Sequence, residues 1–472
     1  MSRAQDPQIS FADLEFLHQG VQMEPVLKTI SDFITEHAAL VERVRQDLER
    51  GLKNPATGRS GLTAPQVLRS LTLQRVKNWD LRELRERIAD GYTLRGFTHF
   101  FADAVPKHDA FHRAFNRLTP QTLEVINERL IRAAVALDLE DGKKLRVDTT
   151  VVETDIHHPT DSTLLWDTVR VVTRLIGRLD ELLPKGVGGF TNRTRSARRR
   201  MQEIQRMTPK QRSQQQVLKY EELIGTTKRV VAQARQVLEK TKKVRVIDWL
   251  DEIAIRALRQ EIEDYCQLGD RVIDQARRRV LQGEQVPPEQ KVYSIFEPHT
   301  DLIKRGKVDK PVEFGHKVSL AESACGLITQ YRVLDGNPSD EDHVAPSLKR
   351  HQKTFGQAPD VYSTDRGFYS ERNIEVSDQA GVRVASIPQR GGKKTAERQA
   401  QEKSSAFKQG QRFRAGIEGR ISVLFRGRGM KRCLAQGRQH FELLVGAAVL
   451  ANNLMVIAQR LIQKQKRRRP AA

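Results

Sequence analysis

The sequence predicts an α/β fold, a mixed sheet flanked by helices, preceded by a helical domain and interrupted by a large helical insertion. Three observations predict it. A strand pattern at residues 143–154 returns after residue 310. The returning strands open with a hairpin and then alternate with helical segments. The stretches 1–140 and 161–290 repeat their apolar residues at helical spacing. The expected organisation is therefore 1–140 helical, 141–440 the sheet domain with the insertion 161–290 inside it, and 441–472 a closing helix and basic tail.

In the first segment, LTPQTLEVINERLIRAAVAL offers Thr119 as an N-cap, Pro120 at the first helical position, and Leu123, Ile126, Leu130, Ala134 and Leu137 on one face. WDLRELRERIAD has Asp80 and Glu83 at capping-box spacing. Such short helices suit DNA binding, although no recognition helix stands out. KKLRVDTTVVET then reads as a strand with Asp148 inside it, a residue type depleted from strands and costly to bury unpaired. A long amphipathic helix follows through Leu164, Val169, Val172, Ile176 and Leu179, continuing into residues 193–212, where eight Arg or Lys face one acid, Glu203. Pro287 and Pro288 end the helical insertion. KPVEFGHKVSL and GLITQYRVLDGNPSD form the hairpin, followed by a helix through EDHVAPSLKRHQKTFG, a short strand running into Asp365, a helix, and a strand at VRVASIP. Beyond Pro388, QRGGKKTAERQAQEKSSAFKQGQR reads as a mobile basic connector, and two helices close the chain.

The charge is +22, from 81 Lys and Arg against 59 Asp and Glu, which favours a polyanionic partner such as nucleic acid. The opening MSRAQDPQIS is polar, so no signal peptide is expected. Residues 441–462 are apolar but interrupted by Asn452, Asn453, Gln459 and Arg460, which points to a packed core helix rather than a membrane span. Cys266, Cys325 and Cys433 show no zinc or disulfide spacing, and a reducing cytoplasm is the expected compartment.

The order strand, hairpin, strand, strand, with helices between, is ribonuclease-H-like. In that order an acid on the first strand and one at the end of the fourth lie side by side, and a later helix supplies a third. Asp148, Asp365 and Glu418 fill these places, with Ile417, Ile421, Leu424 and Phe425 on the buried side of the Glu418 helix and Arg414 one turn before it. Three converging carboxylates repel unless a cation lies between them. Mg²⁺, with Mn²⁺ as an alternative, suits oxygen ligands and in-line attack on a phosphodiester. Glu153, Asp155 and Asp301 are rival ligands, and a strand-end Asp is also an ordinary turn cap. His157 and His158 read as loop packing.

The blocks LRVDTTVV, YSTDRGFYS and FRAGIEGRISVLFRGRGMKRC resemble the three acidic blocks of bacterial insertion-sequence DDE transposases, and DTTVVETDIHHPTDSTLLWDTVRVVTR is similar to the ISNCY-type group. The segment from Leu62 to Phe100 is similar to the helical domain preceding the catalytic domain in related transposases. The resemblance implies catalytic and metal-holding acids at Asp148, Asp365 and Glu418, and a phosphate contact at Arg414. Two positions depart from the pattern: Gln411 stands where many relatives have Tyr, and Phe425 where they have Lys. Further DNA contacts are expected from Arg426, Arg428, Lys431 and Arg432, because residues 381–440 hold fifteen Lys or Arg against three acids, and from Arg198, Arg199 and Arg200 in the insertion.

The expectation is a DNA transposase that binds element ends, cleaves with Mg²⁺ and joins 3′ ends to target DNA, working as a dimer or larger assembly in a bacterial cytoplasm at the nucleoid, with no membrane partner. The rivals are a nuclease without strand transfer and a DNA-binding protein without catalysis.

Overall fold

The computed structural model describes residues 2–3, 22–54, 57, 59–242, 244, 248–304 and 311–468. Most of the polar opening segment and the end of the basic tail lie outside the described residues. The chain forms two compact units, residues 1–153 with 316–472, and residues 154–315. The expected boundaries at 140 and 440 thus fall inside the first unit.

The first unit begins with helices α1 (Pro25–Glu36), α2 (Ala38–Glu49), α3 (Ala64–Lys77), α4 (Leu81–Asp90), α5 (Tyr92–Thr98), α6 (His108–Phe115) and α7 (Pro120–Ala136). Thr119 caps α7 by accepting from the Thr122 N–H, with Pro120 in the first turn. The α4 cap is one-sided: Asp80 accepts from the Arg82 and Glu83 N–H groups, while Glu83 pairs with Arg87 at 3.4 Å.

The sheet comprises β1 (Lys144–Thr154), β2 (Asp301–Lys304), β3 (Val312–Ser323), β4 (Ile328–Val333), β5 (Val361–Ser363), β6 (Val384–Ser386) and β7 (Arg432–Cys433). It is mixed, in the order β2-β3-β1-β5-β6, with β4 also on β3 and β7 also on β1. The β3–β4 pair is antiparallel, whereas β1–β5 and β5–β6 are parallel.

Along β1 the side chains alternate between faces. Leu145 and Val147 enter a core with Val344, Leu348, Tyr362 and Phe368, and Val152 enters one with Leu320, Leu424, Phe441 and Val445.

Between the parallel strands run α12 (Val344–Phe355) and α13 (Glu371–Gln379), numbered after the insertion helices given below. Then come α14 (Ala396–Lys403), α15 (Ser405–Ser422) and α16 (Arg438–Arg468). The apolar stretch of α16 is long enough to cross a membrane, but 83% of it is buried within the protein. Leu450, Leu454 and Ile457 share a core with Ile30, Leu68 and Ile126, which joins the first helices to the last in one unit.

The segment beyond Pro388 is ordered, contrary to the mobile connector expected from its polarity. Thr395 caps α14, and Glu402 gathers both Lys394 and Arg398, the latter at 3.1 Å. The Arg398 guanidinium also lies over the rings of Tyr369 and Phe407, 5.4 and 5.6 Å from their centroids. A polar stretch that satisfies its own charges folds without needing a large apolar face.

The second unit contains the insertion helices α8 (Asp161–Leu182), α9 (Thr194–Arg206), α10 (Pro209–Thr241) and α11 (Trp249–Ala276). Leu164, Val169, Val172, Ile176 and Leu179 are buried as their spacing predicts. The expected continuation of α8 into residues 193–212 is broken after Leu183 by Pro184 and by Gly186 at φ 60°. The basic residues therefore run from the α9 N-cap, Arg193, through α9 and into the first turn of α10.

Candidate functional site

Parallel pairing sets the first contact. Arg146 is in register with Ser363, so two residues further on Asp148 comes alongside Asp365. Asp148 lies on the same face of β1 as Arg146 and Val152, and it is 8% exposed. Its Oδ1 accepts the Thr149 N–H at 2.8 Å, leaving Oδ2 to face the site. Asp365 follows the end of β5 and caps the short 3₁₀ turn Arg366–Phe368, with Oδ1 accepting the Gly367 N–H at 2.8 Å. The capping role read from sequence therefore uses only one of its oxygens.

The third element is α15. Arg414 reaches from it so that one nitrogen, Nη2, is 3.1 Å from Asp148 Oδ2 and 3.6 Å from Asp365 Oδ2. Its Nη1 is 3.2 Å from Glu418 Oε1, one turn away. A single guanidinium thus holds all three acids expected from the sequence. Glu418 is the exposed member, its side chain 70% exposed.

Burial pushes the Asp148 pKa up to about 6; Arg414 pulls against this, and the neighbouring carboxylates of Asp365 and Asp340 add to it. A folded-state pKa above the ordinary 3.8 means that this group's stabilisation is present below that value and is lost as pH rises through about 6. The protein with Asn at 148 is therefore expected to be more stable than the parent in EDTA at about pH 8, by on the order of 3 kcal/mol. The advantage should disappear near pH 3.8, which urea denaturation at the two pH values would measure.

Asp340 was not singled out by sequence reasoning. It lies in the 3₁₀ turn Asp340–His343, where Oδ1 accepts from Thr149 Oγ1 at 2.9 Å and pairs with Lys317 Nζ at 2.8 Å. Its one sequence signal was membership of the GNPSDEDH segment after the hairpin.

Behind the acids lies a second, buried charge network. Glu322 on β3 is 0% exposed. It accepts from Arg146 Nε and Nη2 at 2.8 and 2.7 Å and from Arg420 Nε at 2.9 Å. Arg146 also donates to the Phe413 carbonyl at 2.5 Å and lies over the Phe413 ring, 4.7 Å from its centroid. Arg420 continues to Asn452 Oδ1 at 3.0 Å. Both arginines are two residues from an acid of the site, Asp148 or Glu418, so this network sets where α15 lies against β1. A Cβ at Gly416 would collide with Arg146, which accounts for glycine there.

Among the described residues, no group of three or more His, Cys, Asp or Glu side chains is arranged to hold a metal ion as the chain stands. The guanidinium of Arg414 lies at the point where the three acids meet. The donor chemistry nevertheless fits Mg²⁺ or Mn²⁺: two aspartates each fix one oxygen on a backbone N–H and turn the other toward the same cationic nitrogen. The crowding of Asp148 by Asp365 and Asp340 gives the same centre an excess of negative charge.

Comparison with protein families, curated proteins and solved structures finds no match.

The expected DNA contacts separate into exposed and engaged groups. Arg426 and Lys431 are exposed. Arg428 donates to the carbonyls of Val76 and Gly427 at 3.0 and 2.8 Å, and burial pulls its pKa down. Arg432 pairs with Glu153 at 2.8 Å, which also engages that rival ligand. Arg199 and Arg200 pair with Glu203 at 3.0 and 2.6 Å, and Arg200 also with Glu222, whereas Arg198 is exposed. Gln411 and Phe425, where the expected resemblance breaks, have structural roles. Gln411 Nε2 donates to the Ser386 carbonyl at 2.7 Å, and Phe425 packs against the core beside α16. His157 pairs with Asp167 at 3.3 Å, and His158 meets the Phe314 ring edge-on.

Proposed function

We propose that this chain is a DNA transposase that binds the ends of a mobile element, cleaves beside them and joins the freed 3′-hydroxyls to target DNA. One observation carries the reading: Arg414 gathers Asp148, Asp365 and Glu418 from a first strand, the end of its parallel neighbour and a later helix. The strand order β4-β3-β1-β5-β6 supports a ribonuclease-H-like fold for the same unit.

In this reading Asp148 Oδ2 and Asp365 Oδ2 are the fixed ligands, and Glu418 closes from its exposed position. Bound Mg²⁺ or Mn²⁺ would activate the attacking water or hydroxyl and stabilise the departing oxygen. Arg414 exchanges its carboxylate partners for an oxygen of the scissile phosphate, a contact its planar fork suits. Arg426 and Lys431 neutralise flanking phosphates. Alanine at both positions should lower the slope of log K against log salt by up to about 1.8, whereas Arg428→Ala should mainly reduce stability because that side chain is tied to Val76. Duplex-binding titrations between about 50 and 200 mM salt, with melting curves, separate the two outcomes.

The function is tested with purified protein, Mg²⁺ or Mn²⁺, and a plasmid carrying the gene's flanking DNA, by sequencing new junctions in a second plasmid. Joined products are expected. Hydrolysis without joining would assign a nuclease instead, and intact DNA under all conditions would sink the enzymatic reading.

A further inference from the structure

The insertion helices carry charge that the catalytic centre does not use. On α9, Arg195, Arg198 and Arg206 are exposed and recur at three and eleven residues from the first, which places them on one helical face. Among the described residues no acid pairs with them, unlike Arg199 and Arg200, which pair with Glu203 and, for Arg200, also with Glu222. Cations in a first turn oppose the helix macrodipole. Arg195 in α9 and Arg212 in α10 are in first turns that hold no acid, so neither is there to stabilise its own helix.

Arg212 also lines a cavity of about 830 Å³ with Lys291 and Lys304. Lys291 is crowded there: burial first, then the positive charges of Arg279 and Lys304, pull its pKa down, and Asp161 offsets this only in part. Asp161 is itself engaged by Arg279 at 2.7 Å. The arrangement leaves a cationic surplus that an anion would relieve.

We infer that the insertion unit binds duplex DNA through its phosphates, along Arg195, Arg198 and Arg206 and onward through Arg212 to Lys291 and Lys304. The spacing favours a duplex. Arg198 and Arg206 are separated by about 12 Å of helix rise, close to the width of the B-DNA major groove, so they reach phosphates on both of its walls. The rest of that face is Arg199 and the half-buried Gln202, flanked by exposed Ser196 and Gln205. The α9 face offers no aromatic platform for unpaired bases and no apolar edge for a membrane, although Val217, 49% exposed, and Tyr220 line the cavity with Arg212. This assignment rests on the reading of the chain as acting on DNA.

The test uses the full chain and a fluorescent duplex of about 30 base pairs, titrated from about 50 to 200 mM salt. Replacing Arg195, Arg198 and Arg206 together by Gln should lower the slope of log K against log salt by about 2.7, and Lys291→Gln with Lys304→Gln by about 1.8. Arg199→Gln with Arg200→Gln, which removes two charges as the lysine pair does but at acid-paired positions, should move the slope by less than about 1. Unchanged binding in the triple variant, or an equal loss in the acid-paired control, would overturn the assignment. So would a triple variant that loses affinity for anionic phospholipid vesicles but not for the duplex. Cleavage by the parent is measured alongside binding. Slope changes without cleavage by the parent would sink the transposase while leaving this surface, and cleavage with an unmoved slope would do the reverse.

Discussion

Asp148→Asn, Asp365→Asn and Glu418→Gln are each expected to lower Mg²⁺-dependent DNA cleavage by at least about a thousandfold while leaving duplex affinity nearly unchanged. The size follows from what a bound cation contributes. Several kcal/mol of transition-state charge stabilisation is lost with it, and each ~1.4 kcal/mol is a factor of ten in rate. The three substitutions should differ in other respects. Asp148 and Asp365 each spend one oxygen on a backbone N–H, so their amides can keep the local turn while losing the charge. Glu418 is exposed and, among the described residues, is held by Arg414 alone, so its replacement should leave the melting temperature alone. Single-turnover cleavage of labelled plasmid, run beside gel-shift titrations, gives both readouts. Parental cleavage in any one variant removes that residue from the site, and parental cleavage in all three removes the site.

The parts of this centre that were legible in sequence were those with a local pattern. Asp148 interrupted a strand-forming run, Asp365 preceded a Gly turn, and Glu418 sat above an apolar helical stripe, so each could be placed on its element. The order of elements then paired Asp148 with Asp365, and the observed register, Arg146 opposite Ser363, has the same consequence. What could not be read depends on partners far along the chain. Glu322 is an acid in a strand, as Asp148 is, but its arginines are 176 and 98 residues away. Asp340 was one acid among 59 and lay in an acidic turn. The basic run after Glu418 looked uniform, yet Val76 engages Arg428 and Glu153 engages Arg432, leaving Arg426 and Lys431 exposed with no acid paired to them among the described residues. Composition records how many charges there are, and only the fold records which already have a partner.

That distinction gives the second large effect. Glu322→Gln should destabilise the protein by about 3–5 kcal/mol, the cost of removing one partner from a buried ion pair. The carboxylate is 0% exposed and separates two guanidiniums, Arg146 and Arg420, that would otherwise face each other across a neutral amide. The change is opposite in sign to that at Asp148, where a buried carboxylate is itself the unfavourable charge and its removal stabilises the metal-free chain. Urea denaturation of both variants in EDTA at about pH 8 should therefore move the midpoints in opposite directions. Because Arg146 and Arg420 tie α15 to β1 and β3, Glu322→Gln should also lower cleavage under conditions where the protein remains folded, by loosening Arg414 and Glu418. A loss of stability below about 1 kcal/mol would mean that the two arginines find other partners or water, and that the network does not fix the helix.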